Sequence, residues 1–449
     1  MAVLSTEQLK SAPRLAVMFR ALRHRNYRLF FMGQIISLVG TWMQTIAQSW
    51  LVYRLTGSSL LLGLVGFAGQ IPVFLFAPLG GVFADRHSRH RIVIATQTSA
   101  MILAFILSAL TLLKQIQVWQ IVLLAALLGV VNAFDIPARQ AFIIEMVNSE
   151  DLINAIALNS AMFNGARILG PAVAGVTVAA IGEGWCFFAN GVSYIAVIVG
   201  LLLMTVVPRK RERRVASGLE SFLEGFRFAL HTGPIRALLL LLGLVSVTGM
   251  PYAVLMPIFA DKILGGGARG LGMLMGATGV GALMGTLTLA SKREVRGLGR
   301  WIMFASAGFG ASLVLFSFSR VFWLSVLLLL PAGFSMLLQM SSSNTLIQTM
   351  VPDALRGRVM SVYSMMFMGM APFGALLAGA MANRLGAPIT VTLGGATCIA
   401  GSFVFGSKWP SLRGEARRLI VAQGMSGGEP PQEMTGQMDA LGSRRSGSS

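Results

Sequence analysis

A chain of 449 residues that is 55% hydrophobic, only 12% charged and has a mean hydropathy of +0.72 lies far from the composition of a soluble domain, and reads as a polytopic membrane protein. The net charge of +19 would suit a nucleic-acid partner, but such a protein gathers its basic residues on one face among aromatics, whereas here they fall in alternate loops. Two cysteines, Cys186 and Cys398, sit in separate apolar segments, so neither a disulfide framework nor a metal knuckle is available.

Residues 1–28 form a basic segment (Lys10, Arg14, Arg20, Arg23, Arg25, Arg28) that runs directly into an apolar span ending near Tyr53. No small-residue cleavage site follows a short apolar core, so this span is an uncleaved first helix. Further spans are read at 60–83, 92–113, 119–138, 153–180, 185–207, 235–259, 270–290, 301–318, 322–343, 359–383 and 389–407, making twelve. With both ends of the chain on one side, the segments of that side hold 29 of the 36 Lys and Arg. The loops of the other side hold 6 (Arg54, Lys114, Lys262, Arg269, Arg320, Arg384), and Arg167 alone lies inside a span. Basic residues mark the cytoplasmic side, so both termini are expected there, in a bacterial inner membrane.

The expected fold is all-α, with two six-helix bundles at 29–207 and 235–407. Between them, residues 208–234 form a basic cytoplasmic linker. Its Ser217 is an N-cap candidate, and Leu219, Phe222, Leu223, Phe226 and Leu230 follow at helical spacing, which predicts an amphipathic helix on the inner membrane surface. From 408 to 449 the chain turns to Gly, Ser, Pro and Gln, and a disordered cytoplasmic tail is expected. A shift of 204 positions aligns Gly129 with Gly333, Ile143 with Ile347, Met162-Phe163 with Met366-Phe367, and Gly165, Gly170 and Gly175 with Gly369, Gly374 and Gly379. Parallel duplication of this kind puts a substrate site near the midplane between the halves.

Between the second and third spans lies the polar stretch 80–91, with Gly81, Ala84, Asp85, Arg86, Arg89 and Arg91. It resembles the loop between helices 2 and 3 of the major facilitator superfamily, with Ser88 standing where that family has a second Gly. Ala166, Gly170-Pro171 and Ala174-Gly175 resemble the exporters' antiporter motif, in which small residues flank a Gly-Pro. Residues 40–44, 132–140 and 250–257 resemble the bacterial branch that includes the enterobactin exporter. The resemblance covers roughly residues 15–408. It implies a secondary active transporter working by alternating access. Gly81, Asp85, Arg86 and Arg89 would form a cytoplasmic gate, and Gly170 and Pro171 would serve either gating or close packing.

No Gly-x-x-x-x-Gly-Lys-Ser/Thr loop occurs, so an ion gradient rather than ATP is the expected energy source, with no cofactor. Neither His-Glu-x-x-His nor Gly-x-Ser-x-Gly occurs, which argues against an enzyme. Asp135 is the one acid within a span. Placed about three residues from the inner end, it is expected to pair with Arg86 or Arg89, with proton carriage as the alternative. Cavity candidates are the polar residues of otherwise apolar helices: Gln34, Thr41, Gln44 and Gln48 on one stripe of span 1, with Asn132, Asn159, Asn164, Tyr252, Gln339, Asn344 and Tyr363.

In the register of Gly129, Ala125 holds the place where the superfamily's exporters carry a helix 4 arginine. At matching depth on a neighbouring helix, Arg167 is a candidate replacement, turned inward to Asn132, Asn159, Asn164 or an anionic substrate. The alternative is a structural arginine bonded to carbonyls bared by Pro171. The leading function is proton-coupled export of amphipathic small molecules (siderophore, drug or metabolite) by a monomer in the lipid bilayer. An importer and a non-transporting sensor are the alternatives.

Overall fold

The computed structural model describes residues 19–205, 218–291 and 297–424, with the side chains of 218–222 left aside. Among the described residues, twelve helices are long and apolar enough to cross a membrane. They are α1 Arg25–Thr56, α2 Ser59–Arg86, α3 Arg89–Leu112, α4 Val118–Met146, α5 Leu152–Ile181 and α6 Glu183–Leu202 in the first half. In the second half they are α7 Gly233–Ile263, α8 Gly267–Ala290, α9 Leu298–Phe318, α10 Phe322–Met350, α11 Asp353–Leu385 and α12 Ala387–Ala422. A linker helix, Gly218–His231, lies between the halves. The spans follow the apolar runs because a backbone in hydrocarbon must satisfy its own hydrogen bonds.

Helix ends differ from the apolar boundaries in instructive ways. Stretch 80–91 is not a loop: α2 continues to Arg86, α3 begins at Arg89, and only His87 and Ser88 make the turn. Helix α4 runs on for eleven residues past Asp135, to Met146, so that acid is well inside the helix rather than near its end. Helix α12 continues to Ala422, so 408–422 is helical where a tail is expected, and residues 425–449 lie outside the described residues. Apolarity ends at the membrane surface, but nothing obliges a helix to end there. Ser217 also lies outside the described residues. The linker helix seats Gly225 and Ala229 against the second half, where Gly225 lies against Arg358, while Leu223 and Leu230 stay exposed.

Within the halves, glycines set the approach. A Cβ on Gly129 would come within 2.5 Å of the Gly69 carbonyl oxygen, and one on Gly333 within 1.9 Å of that of Thr278, so α4 seats on α2 as α10 does on α8. These glycines are the pair that the 204-residue shift aligns. The repeat extends further: Gly182 and Gly386, with φ of 90° and 85°, turn the chain between α5 and α6 and between α11 and α12. Lipid tails are as apolar as leucine, so such van der Waals seams rather than hydrophobic burial hold the helices together. Gly333→Val is therefore expected to cost about 1–3 kcal/mol by overpacking, read as a lowered melting temperature in detergent. An unchanged melting temperature would show that the seam yields.

The halves meet along two related seams, α5 on α8 and α2 on the second part of α11. A Cβ on Gly272 would stand 2.8 Å from the Gly175 Cα, and one on Gly379 would stand 2.8 Å from the Gly63 Cα. All four glycines lie toward the face opposite the α2–α3 turn and the linker helix. That face, here called the far face, is closed. On the other, basic face, the first part of α11 packs on the linker helix.

Candidate functional site

Arg167 is the sixteenth of the thirty residues of α5, at mid-membrane depth. Gly170 lies one turn on, and a Cβ there would fall 2.3 Å from the Cβ of Trp42, so its bare backbone lets α1 come into contact. That places the Trp42 ring under the Arg167 guanidinium, 5.9 Å from its centroid, with Phe163 edge-on to the ring at 5.7 Å. Pro171 has no N–H, and the carbonyl it leaves without a helical donor is that of Arg167 itself, four residues back. That oxygen would stand 3.3 Å from a Cβ on Gly279 of α8, so the bared carbonyl lies on the seam between the halves. It does not bond the Arg167 side chain.

From the second half, α7 breaks after Thr248 and resumes at Tyr252. Interrupted backbone at membrane depth is tolerated where it is enclosed by protein or lines a cavity. Tyr252 is buried and edge-on to Phe309 at 6.0 Å. Among the described residues, no ion pair or side-chain hydrogen bond engages the Arg167 guanidinium. Asn164 bonds the Ser160 carbonyl at 2.9 Å, so the expected asparagine partner is not supplied from there. Nor are α4 and α5 close neighbours. Ala125 of α4 faces Gly69 of α2, while α5 packs on α1 and α8, so Arg167 does not take over a place on α4. A charge at mid-bilayer costs about 2.5–3.5 kcal/mol on insertion scales, and a desolvated cation–π contact returns about 2 kcal/mol or more at close range but less at 5.9 Å, near the outer limit of such contacts. Trp42 alone leaves a deficit.

A second polar cluster lies inside the first half. Asp135, 3% exposed, accepts hydrogen bonds from the Thr96 hydroxyl at 2.8 Å and the Gln97 amide at 2.9 Å, and its other oxygen lies 2.9 Å from Arg139 Nε. Neither Arg86 nor Arg89 is its partner. Arg89 instead binds Glu145 at 3.2 Å, Asp85 at 3.3 Å and the Ala141 carbonyl at 3.1 Å, because the two helices of the α2–α3 corner bring it alongside α4. The Asp135–Arg139 spacing of four is the signal in the sequence that identifies the true pair. Near this cluster, Asn190 donates to Gln44 at 2.7 Å, and the Tyr194 hydroxyl is 3.5 Å from that of Thr41, which also bonds the Ser37 carbonyl.

The remaining cavity candidates scatter. Gln34 and Gln339 are buried in separate halves, Gln34 with its Oε1 unpartnered and Gln339 with its Nε2 unpartnered. Asn344 reaches Gln348, and Tyr363 donates to the Met340 carbonyl at 3.0 Å. Gln48, Asn132 and Asn159 are half-buried. At the α2–α3 corner, Gly81 has open space around it. Gly80 is the pinned glycine, since a Cβ there would meet the Ala133 carbonyl oxygen at 2.1 Å. Asp85 has a 75% exposed side chain, and Arg86 is exposed beside it.

The far face carries a contact that the sequence does not announce. The Tyr53 hydroxyl of α1 donates to Asp261 of α7 at 2.8 Å, joining the halves where α7 takes a π turn over Phe259–Ile263. A hydrogen bond to a charged group is worth about 1.5–3 kcal/mol, and the exposure of Asp261 argues for the lower end. Tyr53→Phe is therefore expected to raise the far-face-open population about tenfold. Spin-label distances across that face provide the check, and an unchanged distribution would mean the bond does not bias the states.

The family model described as transmembrane secretion effector matches residues 16–421. The staphyloferrin A transporter of Staphylococcus aureus is 27% identical over 383 residues, covering 84% of this chain and 95% of its own. The enterobactin exporter EntS of Citrobacter koseri is 25% identical over 407 residues, covering 91% and 96%. Among solved structures, the nucleoside transporter NupG superposes with a TM-score of 0.68 at 14% identity, covering 86% of this chain and 99% of its own. A bacterial homologue of ferroportin in an inward-facing state gives 0.64 at 16% identity, covering 86% and 99%. Twelve spans in two glycine-seamed halves agree with these relatives: the chain belongs to the transmembrane secretion effector family of major facilitator transporters.

Proposed function

We propose that the protein is a secondary active exporter, a monomer that carries amphipathic small molecules from the basic, cytoplasmic face to the far face. Alternating access is coupled to inward proton movement. The observation that carries this reading is the pair of glycine seams, Gly63 on Gly379 and Gly175 on Gly272, which close the far face between two repeats of the same fold. Rigid halves that meet through bare backbone can rock apart along these seams, with the Tyr53–Asp261 hydrogen bond to break at the far face. The closed far face matches the state named for the ferroportin homologue, and the basic bias of the other face supports its placement in the cytoplasm. Outward direction follows the exporter relatives.

In the opposite state, Asp85 meets the first turn of α11, Asp353–Arg356, where free N–H groups and the helix dipole favour an anion, rather than Val359, which lies buried in the second turn. Asp135 is held by three partners and is assigned a structural part, so Asp135→Asn should slow transport and leave gradient dependence in place. The test is accumulation of fluorescent dyes and catecholate siderophores in cells with and without the protein, before and after collapse of the proton gradient. Lower accumulation that vanishes on collapse is expected. Higher accumulation with the protein present would favour import.

A further inference from the structure

We propose that Arg167 is the anion-recognising group of the substrate site, and that the transported solute is an amphipathic organic acid whose carboxylate or other oxyanion docks on this guanidinium beside Trp42. The inference rests on the transport reading above and adds to it the charge of the cargo.

The other interior arginines show how this fold treats a cation it needs for structure. Arg139 lies against Asp135, and Arg89 lies between Asp85 and Glu145, each with its carboxylate supplied by the same or an adjacent helix. Arg167 receives none among the described residues, although it is the arginine deepest in the membrane. What it receives is an aromatic face. With its Cζ 5.9 Å above the indole centroid, the guanidinium spends none of its N–H groups on a carboxylate or carbonyl among the described residues, and those N–H groups match the two oxygens of an oxyanion.

Position agrees with this role. The Arg167 carbonyl and the neighbouring Ile168 border Gly279 on the α5–α8 seam, so both halves contribute to its surroundings. A group there stays in touch with the cargo while the halves rock. Trp42 and Phe163 offer rings to an apolar body. A cationic solute would meet like charge with no carboxylate paired to it among the described residues, and a neutral one would leave the arginine uncompensated.

Equilibrium binding to the purified full chain in detergent tests this, with radiolabelled 2-naphthoate and its neutral methyl ester as probes. Detergent binding involves neither direction nor gradient. A negative result here therefore overturns the inference without touching the export reading, and gradient-independent accumulation in cells does the reverse. The wild-type chain is expected to prefer the acid over the ester by about tenfold or more. Arg167→Gln should abolish that preference with ester binding intact, and Arg167→Lys should retain part of it. Equal binding of acid and ester by the wild-type chain overturns the proposal, as does an undiminished acid preference in Arg167→Gln. The wild-type comparison decides alone if the glutamine variant does not fold.

Discussion

Asp135→Ala is expected to be among the most damaging single substitutions in the first half, costing about 3 kcal/mol of stability. The carboxylate is buried among Thr96, Gln97 and Arg139, and its removal strands the Arg139 cation and two hydrogen-bond donors at once. Arg139 keeps 22% side-chain exposure, so some of the loss is recovered by water, which places the cost at the low end of the range for broken buried pairs. Removing both partners should cost less than removing one. Asp135→Asn with Arg139→Gln is thus expected to melt above Asp135→Ala, because the double variant leaves no unpaired charge. If the double variant falls below the wild type by the sum of the two separate losses, the two residues are not coupled.

The second large effect is expected at the seam between the halves. Gly272→Leu would drive a side chain into the Pro171 carbonyl oxygen, 2.6 Å from where its Cβ must stand, and into the Gly175 backbone. Both neighbours are backbone and cannot swing aside. Inside a bundle the same clash is relieved only by distorting the fold, as at Gly333. Between halves that already part during transport, it is relieved by opening. The cost of about 1–3 kcal/mol should therefore appear as a shift of about 5- to 150-fold toward the far-face-open state, with little change in melting temperature. A lowered melting temperature without a shift in spin-label distances would mean that the seam is static packing. Gly63→Leu should behave alike at the related seam.

The spans were legible because about 20 consecutive apolar residues have no other use in a chain of this composition. The duplication was legible in glycines that proved to have one job in each half, such as Gly129 with Gly333 and Gly175 with Gly379. What stayed hidden followed from equating the end of apolarity with the end of a helix. Ending α4 near residue 138 put Arg139 in a loop and concealed its spacing of four from Asp135. Reading 80–91 as a hinge gave weight to Gly81, which touches nothing, over Gly80, which lies against α4. The surroundings of Arg167 were hidden for a different reason. A short turn between α4 and α5 suggests neighbours, but seams formed by small residues decide which membrane helices pack, and α5 belongs with α1 and α8. The Tyr53–Asp261 bond joins residues 208 positions apart and leaves no local trace.

Alternating access is tested most directly by locking the far face. Cys186 and Cys398 are both buried, so cysteines placed at positions 53 and 261 are the ones a bifunctional maleimide would reach. In the proposed cycle the far face must open once per turnover, whichever way the cargo moves. Joining these two positions in reconstituted vesicles by a bifunctional maleimide with a reducible disulfide in its linker is expected to stop transport, and cleaving the linker should restore it. Transport at the uncrosslinked rate with the linker intact would contradict the account.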